Sequence, residues 1–360
     1  MNYIDNSKAV NWGGQAMFAG ISHLVKTSYP EAEFVPLKFS KLPLRSLPFL
    51  RAIPDLLIYQ CVKRGRLGLL KAVLHWYGVK RDLYDQFDVV CFNGEGAIHE
   101  KSGHFFRLVG SLHAFKMSGK RVYSLYQTID VTPGGLRARL LQLVYPTLDR
   151  VEVREPVSLR MMERLGLKGE LGGDAAYAMP RIPDDDRRAL AAPFDLGKPF
   201  IAVTASSALE RDPASVAVMD RLLGALGGLG RELVFLANTK TDLYLAEKLA
   251  ARHRFRVIDY DQAKYREAVA IISMADLIVG GRQHPNIFAA EYGVPFIGLS
   301  GNTHKMRGVA EMLNHPVPVF GWDFKEEELV ETARKILDGR IDFSGVTVPR
   351  PVGIDLGPAG

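Results

Sequence analysis

The residues in this sequence that are best suited to chemistry lie in the stretch 276–305. Arg282, Gln283 and His284 follow a short apolar run that ends in two glycines, and Lys305 follows the next apolar run. Arginine and lysine carry a positive charge at neutral pH, whereas histidine can give up or accept a proton there. This combination predicts a site that binds an anion and moves a proton.

The elements that would position these side chains follow from the pattern of apolar residues. Residues 276–279 fit a buried strand, the spacing between 287 and 291 fits a helix that ends at Gly293, and residues 294–299 fit the next strand. Ligands of open α/β sheets bind at the carboxyl ends of the strands, and the first turn of a helix offers free N–H groups to an anion. We therefore expect the arginine, the histidine and the lysine at one edge of a parallel sheet.

Further candidate residues lie where a predicted strand ends or a predicted helix begins. They are Asn11, Gly13, Gly14 and Gln15 before the first helix; Asn93, Gly94, Glu95 and Gly96 after a strand at 88–92; Arg154 after a strand at 151–153; and Ser206 and Asn238 after two later strands. Glycines in such loops allow the backbone to approach a ligand closely. A carboxylate would repel a phosphate, so we interpret Glu95 as a group that accepts sugar hydroxyls or acts as a base.

Strands and helices alternate along both halves of the chain. This pattern predicts an α/β fold of two doubly wound, Rossmann-like domains that face each other across a cleft. The length of 360 residues suits two hydrophobic cores. We assign residues 1–180 to the first domain and residues 195–340 to the second, with a polar, proline-flanked linker at 180–193. Residues 341–360, rich in proline and glycine, are predicted to form an irregular tail.

Composition and charge narrow the class of protein. A hydrophobic content of 47% with 24% charged residues is typical of a globular protein, and a net charge of +6 without a basic block argues against a nucleic-acid-binding protein. Cys61 and Cys91 show neither a pairing pattern nor metal-ligand spacing, so we expect reduced core thiols and a cytoplasmic location. No apolar run reaches the length of a spanning helix. We therefore expect a protein that is soluble or bound at a membrane surface.

The stretch 38–81 interleaves basic residues with apolar and aromatic ones, and Asp55 is its only acidic residue. Residues 56–77 fit one amphipathic basic helix or two. Such a segment can lie on an anionic membrane surface, which predicts a peripheral contact with the inner face of the membrane. The alternative is an ordinary helix on the sheet whose lysines extend to solvent. The sequence leaves both interpretations open.

Four segments carry a resemblance to a known family. They are Asn11-Trp12-Gly13-Gly14; residues 87–90 with the glycine loop that follows; Arg154-Glu155-Pro156-Val157-Ser158 through Asp174-Ala175-Ala176; and Arg282-Gln283-His284 with Pro295 and Lys305. In their order and spacing they resemble the polysaccharide pyruvyl transferase family. The resemblance implies a two-domain fold like that of the GT-B glycosyltransferases. It also implies transfer of the enolpyruvyl unit of phosphoenolpyruvate onto a sugar as a pyruvate ketal.

The resemblance also implies roles for individual residues. The donor-holding arginine of the Arg-x-Pro-x-Ser segment and the Arg-x-His pair of the family correspond to Arg154, Arg282 and His284, and Lys305 matches the lysine after the last strand. We predict donor binding by these four residues together with Gln283, Ser206 and Asn238. Acceptor binding is predicted for Asn11, Gly13, Gly14, Gln15, Asn93, Gly94, Glu95 and Gly96. In catalysis His284 would be the general acid, Arg154, Arg282 and Lys305 would bind the anion, and Glu95 would be the base.

Two loops depart from the pattern that is common in the family. The first commonly reads Asn-x-Gly-Asp, where this chain has Gly14 and Gln15, and the second is often three glycines, where this chain has Gly94, Glu95 and Gly96. Both loops belong to the half where we expect the acceptor. The resemblance therefore predicts the donor side in more detail than the acceptor sugar.

Two other functions fit the same residues. A glycosyltransferase of the same two-domain form would use a nucleotide-sugar donor, with Arg282 and Lys305 on the diphosphate and Glu95 as base. A non-catalytic sugar- or membrane-binding subunit of a glycan assembly complex would use the basic stretch 38–81. For a pyruvyl transferase, the expected partners are phosphoenolpyruvate and a sugar of a cell-surface polysaccharide or its lipid-linked precursor. No cofactor, metal or nucleic acid is expected.

Overall fold

A computed structural model of the chain describes residues 11–36, 49–94, 96–351 and 353–355, with the backbone alone for residues 49–52. The described residues form two compact units. Unit 1 contains those in 24–174 and those from 351 onward, and unit 2 contains those in 11–23 and in 175–350. The first helix, α1 (Trp12–Ser28), therefore begins in unit 2 and ends in unit 1. The sequence analysis places all of residues 1–180 in one domain, whereas the structure packs the start of α1 with unit 2.

Unit 1 is built on a parallel sheet. Its helices and strands are, in chain order, α2 (Phe49–Lys63), α3 (Leu67–Trp76), α4 (Leu83–Gln86), β1 (Val89–Phe92), β2 (Ile98–His99), α5 (Phe105–Met117), β3 (Arg121–Gln127), β4 (Ile129–Asp130), α6 (Leu136–Val144), β5 (Arg150–Val153), α7 (Pro156–Arg164) and β6 (Glu170–Leu171). Among the described residues, β1, β3, β5 and β6 pair in that order, all in parallel, and β2 pairs with β4. The carboxyl ends of β1, β3 and β5 therefore lie next to one another.

The core of unit 1 is centred on α5. Every residue of α5 from Phe105 to Phe115 is buried, so the helix is covered on all sides. The helices α2, α3 and α6 pack against it, and Ile58, Leu70 and Leu141 from these helices belong to the same hydrophobic cluster. A helix with apolar residues around its whole circumference is stable when it is buried in this way.

Unit 2 is built on a second parallel sheet. Its helices and strands are α8 (Asp184–Ala191), β7 (Phe200–Ser206), α9 (Pro213–Gly227), β8 (Glu232–Ala237), α10 (Lys240–Leu249), β9 (Arg256–Asp259), α11 (Tyr265–Ile272), β10 (Leu277–Gly281), α12 (Gln283–Glu291), β11 (Phe296–Gly298), α13 (Lys305–Met312) and α14 (Glu326–Leu337). Within the described residues the strand order is β11-β10-β7-β8-β9, and each pair is parallel. The strand at the centre, β7, is buried along its whole length.

Two glycines shape the end of the strand that leads to Arg282. A Cβ atom on Gly280 would lie 2.0 Å from Thr204 Oγ1, and one on Gly281 would lie 2.7 Å from Ser206 Cβ. The register between β10 and β7 shifts between these two glycines. Because glycine alone has no Cβ, only glycine lets the two strands come this close. The glycine pair thus determines how β10 ends and where α12 begins.

The predicted alternation of strands and helices is confirmed in both units, and the strands predicted at 88–92 and 151–153 are observed as β1 (Val89–Phe92) and β5 (Arg150–Val153). Gln283 and His284, which we expected before the helix, form the first turn of α12 instead. From residue 49 onward the basic stretch forms two helices, α2 and α3, which is one of the two alternatives. The segment predicted as a linker contains α8, and this helix packs against α11.

Candidate active site

The carboxyl edge of the sheet in unit 2 carries most of the residues predicted to bind the donor. Following the strand order from β11, these are Lys305, then Arg282, Gln283 and His284, then Ser206, and then Asn238. Arg282 has extended backbone and directly precedes α12, of which Gln283 and His284 are the first two residues. The side chains of Arg282 and His284 are half-buried, so both reach the surface of the unit.

The guanidinium of Arg282 is held on one side by two residues at the start of α10. Its Nε donates to Asp242 Oδ2 at 3.1 Å, and its Nη2 donates to Asp242 Oδ1 at 2.5 Å and to Thr239 Oγ1 at 2.9 Å. The side chain of Asp242 is fully buried, whereas that of Arg282 is 14% exposed. Nη1 makes no hydrogen bond to any residue that the structure describes. The carboxylate therefore fixes the plane of the guanidinium and leaves Nη1 for an anion.

Asp242 and Thr239 are positioning residues that the sequence analysis missed. Thr239 caps α10, since its Oγ1 accepts a hydrogen bond from the backbone N–H of Asp242 at 3.4 Å. Burial raises the pKa of the Asp242 carboxyl, and the charge and hydrogen bonds of Arg282 oppose this rise. The pattern Thr-x-x-Asp at a helix start is a recognisable capping signal. It does not reveal that the same carboxylate meets an arginine 40 residues further along the chain.

The start of α1 is held at the same edge of unit 2. Asn11 caps the helix by accepting a hydrogen bond from the backbone N–H of Gly14 at 2.6 Å. The backbone N–H of Trp12 donates to Asn238 Oδ1 at 2.8 Å, and its indole Nε1 donates to the carbonyl of Ala263 at 2.8 Å. The first turn of α1 is therefore fixed to the carboxyl end of β8 and to the loop before α11.

Gly13 lies directly against the ring of His284. A Cβ atom on Gly13 would lie 1.9 Å from Nδ1 of His284, so any other residue would displace the imidazole. Gln15, in the same turn, accepts a hydrogen bond from the backbone N–H of Tyr265 at 2.9 Å. The sequence analysis assigns this segment to the acceptor side, whereas the structure places it next to a residue predicted for the donor.

The loop between β11 and α13 places Lys305 near the end of β7. A Cβ atom on Gly301 would lie 3.1 Å from Lys305 Cε and 3.4 Å from Ser207 Oγ, so the lysine side chain passes over the glycine. Ser206 Oγ donates to the carbonyl of Ser300 at 2.8 Å and ties the two loops together. The hydroxyl of Ser206 thus supports the loop that leads to Lys305 at the start of α13.

In unit 1, Gln127 connects the glycine loop after β1 to the end of β3. Its Oε1 accepts from the backbone N–H of Gly94 at 3.0 Å, and its Nε2 donates to the carbonyls of Phe92 and Leu125 at 2.9 Å and 2.8 Å. The side chain is fully buried. The sequence analysis missed Gln127. The one signal that could have indicated it is a polar amide side chain at the end of the apolar strand β3.

Arg154 follows β5 and is buried beside the same loop. Its Nε donates to Thr128 Oγ1 at 2.7 Å, and its Nη1 donates to Asp174 Oδ2 at 3.0 Å. The side chains of Arg154 and Asp174 are each 2% exposed. A Cβ atom on Gly96 would lie 3.6 Å from Nη2 of Arg154, so the guanidinium borders the glycine loop.

The residues that follow Arg154 stabilise the start of α7. Glu155 caps α7 by accepting from the backbone N–H of Ser158 at 2.9 Å, and Pro156 occupies the first helical position, where a backbone N–H is not needed. The hydroxyl of Ser158 donates to the Glu155 carboxylate and accepts from the backbone N–H of Ile129 at 2.8 Å. This network fixes the start of α7 to β4 and so holds Arg154 at the end of β5.

The structure thus brings the predicted residues together in two groups, one in each unit. In unit 1, Asn93, Gly94 and Gly96 lie in the loop after β1, and Asn93 is buried. Glu95, the predicted base, lies outside the described residues. In unit 2, the segment from Asn11 to Gln15 lies with His284 and Asn238 at the carboxyl edge of the sheet.

The described residues contain no cluster of metal ligands and no helix of membrane-spanning character, and both cysteines are free. In the part of the chain that the structure describes, no three His, Cys, Asp or Glu residues are grouped as ligands for a metal ion. Cys61 and Cys91 are buried and free, and burial raises the pKa of the Cys91 thiol to about 11. Within the described ranges, no helix combines the length and the apolar character needed to cross a membrane.

Solved structures share this fold. UDP-N-acetylglucosamine 2-epimerase from Rickettsia bellii is 11% identical with a TM-score of 0.56, covering 97% of this chain and 90% of that one. UDP-GlcNAc 2-epimerase from Neisseria meningitidis, bound to UDP-GlcNAc, is 12% identical with a TM-score of 0.53, covering 98% and 94%. The enzyme from Methanocaldococcus jannaschii in complex with UDP-GlcNAc and UDP is 14% identical with a TM-score of 0.53, covering 80% and 77%. At this identity the likeness shows the fold alone, an α/β protein of the GT-B type with two Rossmann-like units.

The family follows from the sequence. The profile of the polysaccharide pyruvyl transferase family matches residues 11–303. The chain belongs to this family, which confirms the resemblance carried by the four segments. A comparison with curated proteins gives no match.

Proposed function

We propose that the protein transfers the enolpyruvyl group of phosphoenolpyruvate onto a sugar and forms a pyruvate ketal. The observation that carries this proposal is the arrangement of Arg282 in unit 2. A buried carboxylate orients its guanidinium at a sheet edge, and His284 follows two residues later at the start of α12. Membership of the polysaccharide pyruvyl transferase family supports the same reaction class.

Phosphoenolpyruvate carries a phosphate and a carboxylate, and arginine suits both because its fork binds two oxygens at once and keeps its charge. Asp242 and Thr239 occupy Nε and both N–H groups of Nη2 of Arg282, so the donor would bind at the two N–H groups of Nη1. Lys305 would neutralise the departing phosphate. Three further residues would support this donor site: Gln283 as the first residue of α12, Ser206 through its bond to Ser300, and Asn238 through its bond to Trp12.

The reaction needs a proton on the methylene carbon of the donor. His284 would deliver it, which leaves an oxocarbenium-like carbon that a sugar hydroxyl attacks. The bond between that carbon and the phosphate oxygen then breaks, and a second hydroxyl of the sugar takes the place of phosphate. The two hydroxyl protons balance the step, because one restores the general acid and the other leaves with phosphate. The products are the ketal and inorganic phosphate.

Unit 1 would bind the acceptor. The glycine loop of Asn93, Gly94 and Gly96 offers backbone that a sugar can approach closely, and Glu95 is the proposed base for the attacking hydroxyl. Arg154 would contact an anionic group of a substrate from the end of β5. The acceptor would be a sugar of a cell-surface polysaccharide or of its lipid-linked precursor, and the protein would act in the cytoplasm, at the inner face of the membrane when the precursor is lipid-linked.

Label transfer tests the proposal. The protein is incubated with phosphoenolpyruvate radiolabelled in its pyruvyl carbons and with lipid-linked oligosaccharides extracted from cells. The expected result is acid-labile label in the glycan with an equal amount of released phosphate, lost in Arg282→Ala and kept in Arg252→Ala.

The second candidate is a glycosyltransferase, favoured by the fold that the chain shares with proteins bound to UDP-GlcNAc. Transfer of sugar from a nucleotide sugar to the same acceptors, without label from phosphoenolpyruvate, would establish it and reject pyruvyl transfer.

A further inference from the structure

Unit 1 exposes large apolar side chains on one pair of helices. On α2 these are Ile53, Leu56 and Leu57, and on α3 they are Leu69 and Trp76; Ile53 is 58% and Trp76 is 50% exposed. The spacing of three and four residues puts the α2 side chains on one face of that helix. We name these five residues the helix-pair face.

The two helices present this face together. They pack against each other and both pack against α5, so their exposed sides point away from α5. The hydroxyl of Tyr77 donates to Asp55 Oδ1 at 3.1 Å and fixes the end of α3 beside the beginning of α2. Ile53 and Leu56 therefore lie at the same end of the pair as Trp76.

The charge around the helix-pair face is one-sided. Lys63 at the end of α2 is exposed, as are Arg64 and Arg66 in the turn that follows and Lys80 and Arg81 after α3. From residue 49 to residue 81 the only acidic residue is Asp55, which is engaged with Tyr77. An apolar face with cations at both ends is complementary to a partner that has an apolar interior and an anionic surface layer.

We propose that the helix-pair face docks on a bilayer of anionic phospholipid. Leucine and isoleucine side chains would enter the boundary between headgroups and acyl chains, where tryptophan is also favoured. The cations in the turn and after α3 would contact headgroup phosphates. The inference goes beyond the proposed function, because it holds for any donor or acceptor of the enzyme.

Vesicle flotation of the full chain tests the apolar part of the proposal. The protein is expected to float with vesicles of phosphatidylcholine and phosphatidylglycerol and to stay in solution with phosphatidylcholine alone. Leu57→Glu combined with Trp76→Glu is expected to weaken binding at least about 10-fold, since two apolar side chains that would enter the bilayer are lost. The control pair Leu171→Glu and Met274→Glu changes equally exposed apolar residues outside the face and is expected to bind like the wild type.

A triple variant tests the contribution of the cations to membrane binding. Changing Lys63, Arg64 and Arg66 together to alanine removes three exposed charges and is expected to weaken binding roughly 100-fold at low salt. The matched control removes Lys248, Lys325 and Arg334, three exposed cations of unit 2, and is expected to bind normally. Three results would overturn the proposal: equal binding to neutral and anionic vesicles, no flotation with either, or a loss of binding in the control variants as large as in the variants of the face. So would a dimer in solution that the Leu57 and Trp76 variant dissociates, because a second copy would then be the occupant of the face.

Discussion

The side chain of Arg282 is oriented by the fold itself, before any ligand binds. Its pairing with the buried Asp242 prevents rotation of the guanidinium, so part of the entropy of ordering a long side chain is lost on folding instead of on binding. The remaining N–H groups then point to one region at the sheet edge. His284 is fixed in a similar way, because its ring rests on a glycine that leaves no space for movement on that side.

We expect Asp242→Asn to weaken donor binding without removing the catalytic group. The change keeps the shape of the side chain and removes the charge that orients Arg282, so KM for phosphoenolpyruvate should rise roughly 10-fold or more while kcat changes less. The control is Asp220→Asn, which breaks ion pairs with Arg252 and His253 away from the sheet edge. Equal losses of thermal stability in the two variants with an unchanged KM in both would show that Asp242 has only a structural role.

His284→Ala should lower kcat by roughly 10²–10⁴-fold, which is the usual contribution of a general acid. Donor affinity should change far less, since Arg282 stays in place. The comparison variant is His253→Ala, in which a partly buried histidine of the same unit is lost. Steady-state kinetics with phosphoenolpyruvate measure both variants, and a kcat for His284→Ala within a few-fold of the wild type would exclude the histidine as the acid.

The connection of separate elements depends on single buried polar groups. Gln127 uses both ends of its amide to join β3 to the loop after β1, and Asn238 uses its oxygen to hold the start of α1 at the end of β8. Such groups are costly to leave unpaired in a core, so each of them specifies one position of a loop or helix.

Gln127→Met should disturb the acceptor loop while the donor site keeps its shape. The substitution preserves volume but leaves the backbone N–H of Gly94 without its partner, at a cost of about 1–3 kcal/mol. We expect a raised KM for the acceptor and an unchanged thermal shift with phosphoenolpyruvate. Gln142→Met serves as control, because Gln142 is an exposed glutamine of α6 that also donates to a backbone carbonyl. A raised donor KM in Gln127→Met would contradict this assignment.

Local sequence patterns predicted most elements and part of the site. Apolar runs located β1, β5 and β10, and strand ends pointed to Arg154, Arg282 and His284. Contacts between distant residues were not predictable in this way. The periodicity of α1 shows that one face is buried, but it does not tell that Trp12 bonds to Asn238, 226 residues away. The carboxylate that orients Arg282 and the short pair β2 and β4 were missed for the same reason.

The whole molecule combines two sheets, each with candidate residues at its carboxyl edge, and a mildly basic surface with a net charge of +6. Within unit 1, α5 begins after the loop that follows β1, and Arg107 in its first turn donates to the carbonyl of Tyr77 at 3.3 Å. The Trp76 end of the helix-pair face therefore lies beside the first turn of α5.

Acid should destabilise the folded chain through two histidines, the buried His113 and the half-buried His315. Burial lowers the pKa of His113 in unit 1 and of His315 in unit 2, where the ring stacks on Phe296 at 3.8 Å. Below about pH 6.5 the unfolded chain takes up protons at these positions and the folded chain does not, so stability present above that pH declines as the pH falls. Thermal melts should show a smaller decline for His315→Gln than for the wild type. An identical pH dependence in the two proteins would contradict this origin of the acid sensitivity.

Binding of phosphoenolpyruvate at Arg282 of unit 2 is proposed above, and calorimetric titration of that ligand tests it without knowledge of the acceptor. The wild type and Arg252→Ala are expected to bind it equally. Arg282→Lys, which keeps the charge and loses the fork, is expected to bind roughly 10-fold to 100-fold more weakly. UDP-GlcNAc is expected to give no heat. Binding of UDP-GlcNAc without binding of phosphoenolpyruvate, or equal affinity for phosphoenolpyruvate in all three proteins, would contradict the claim.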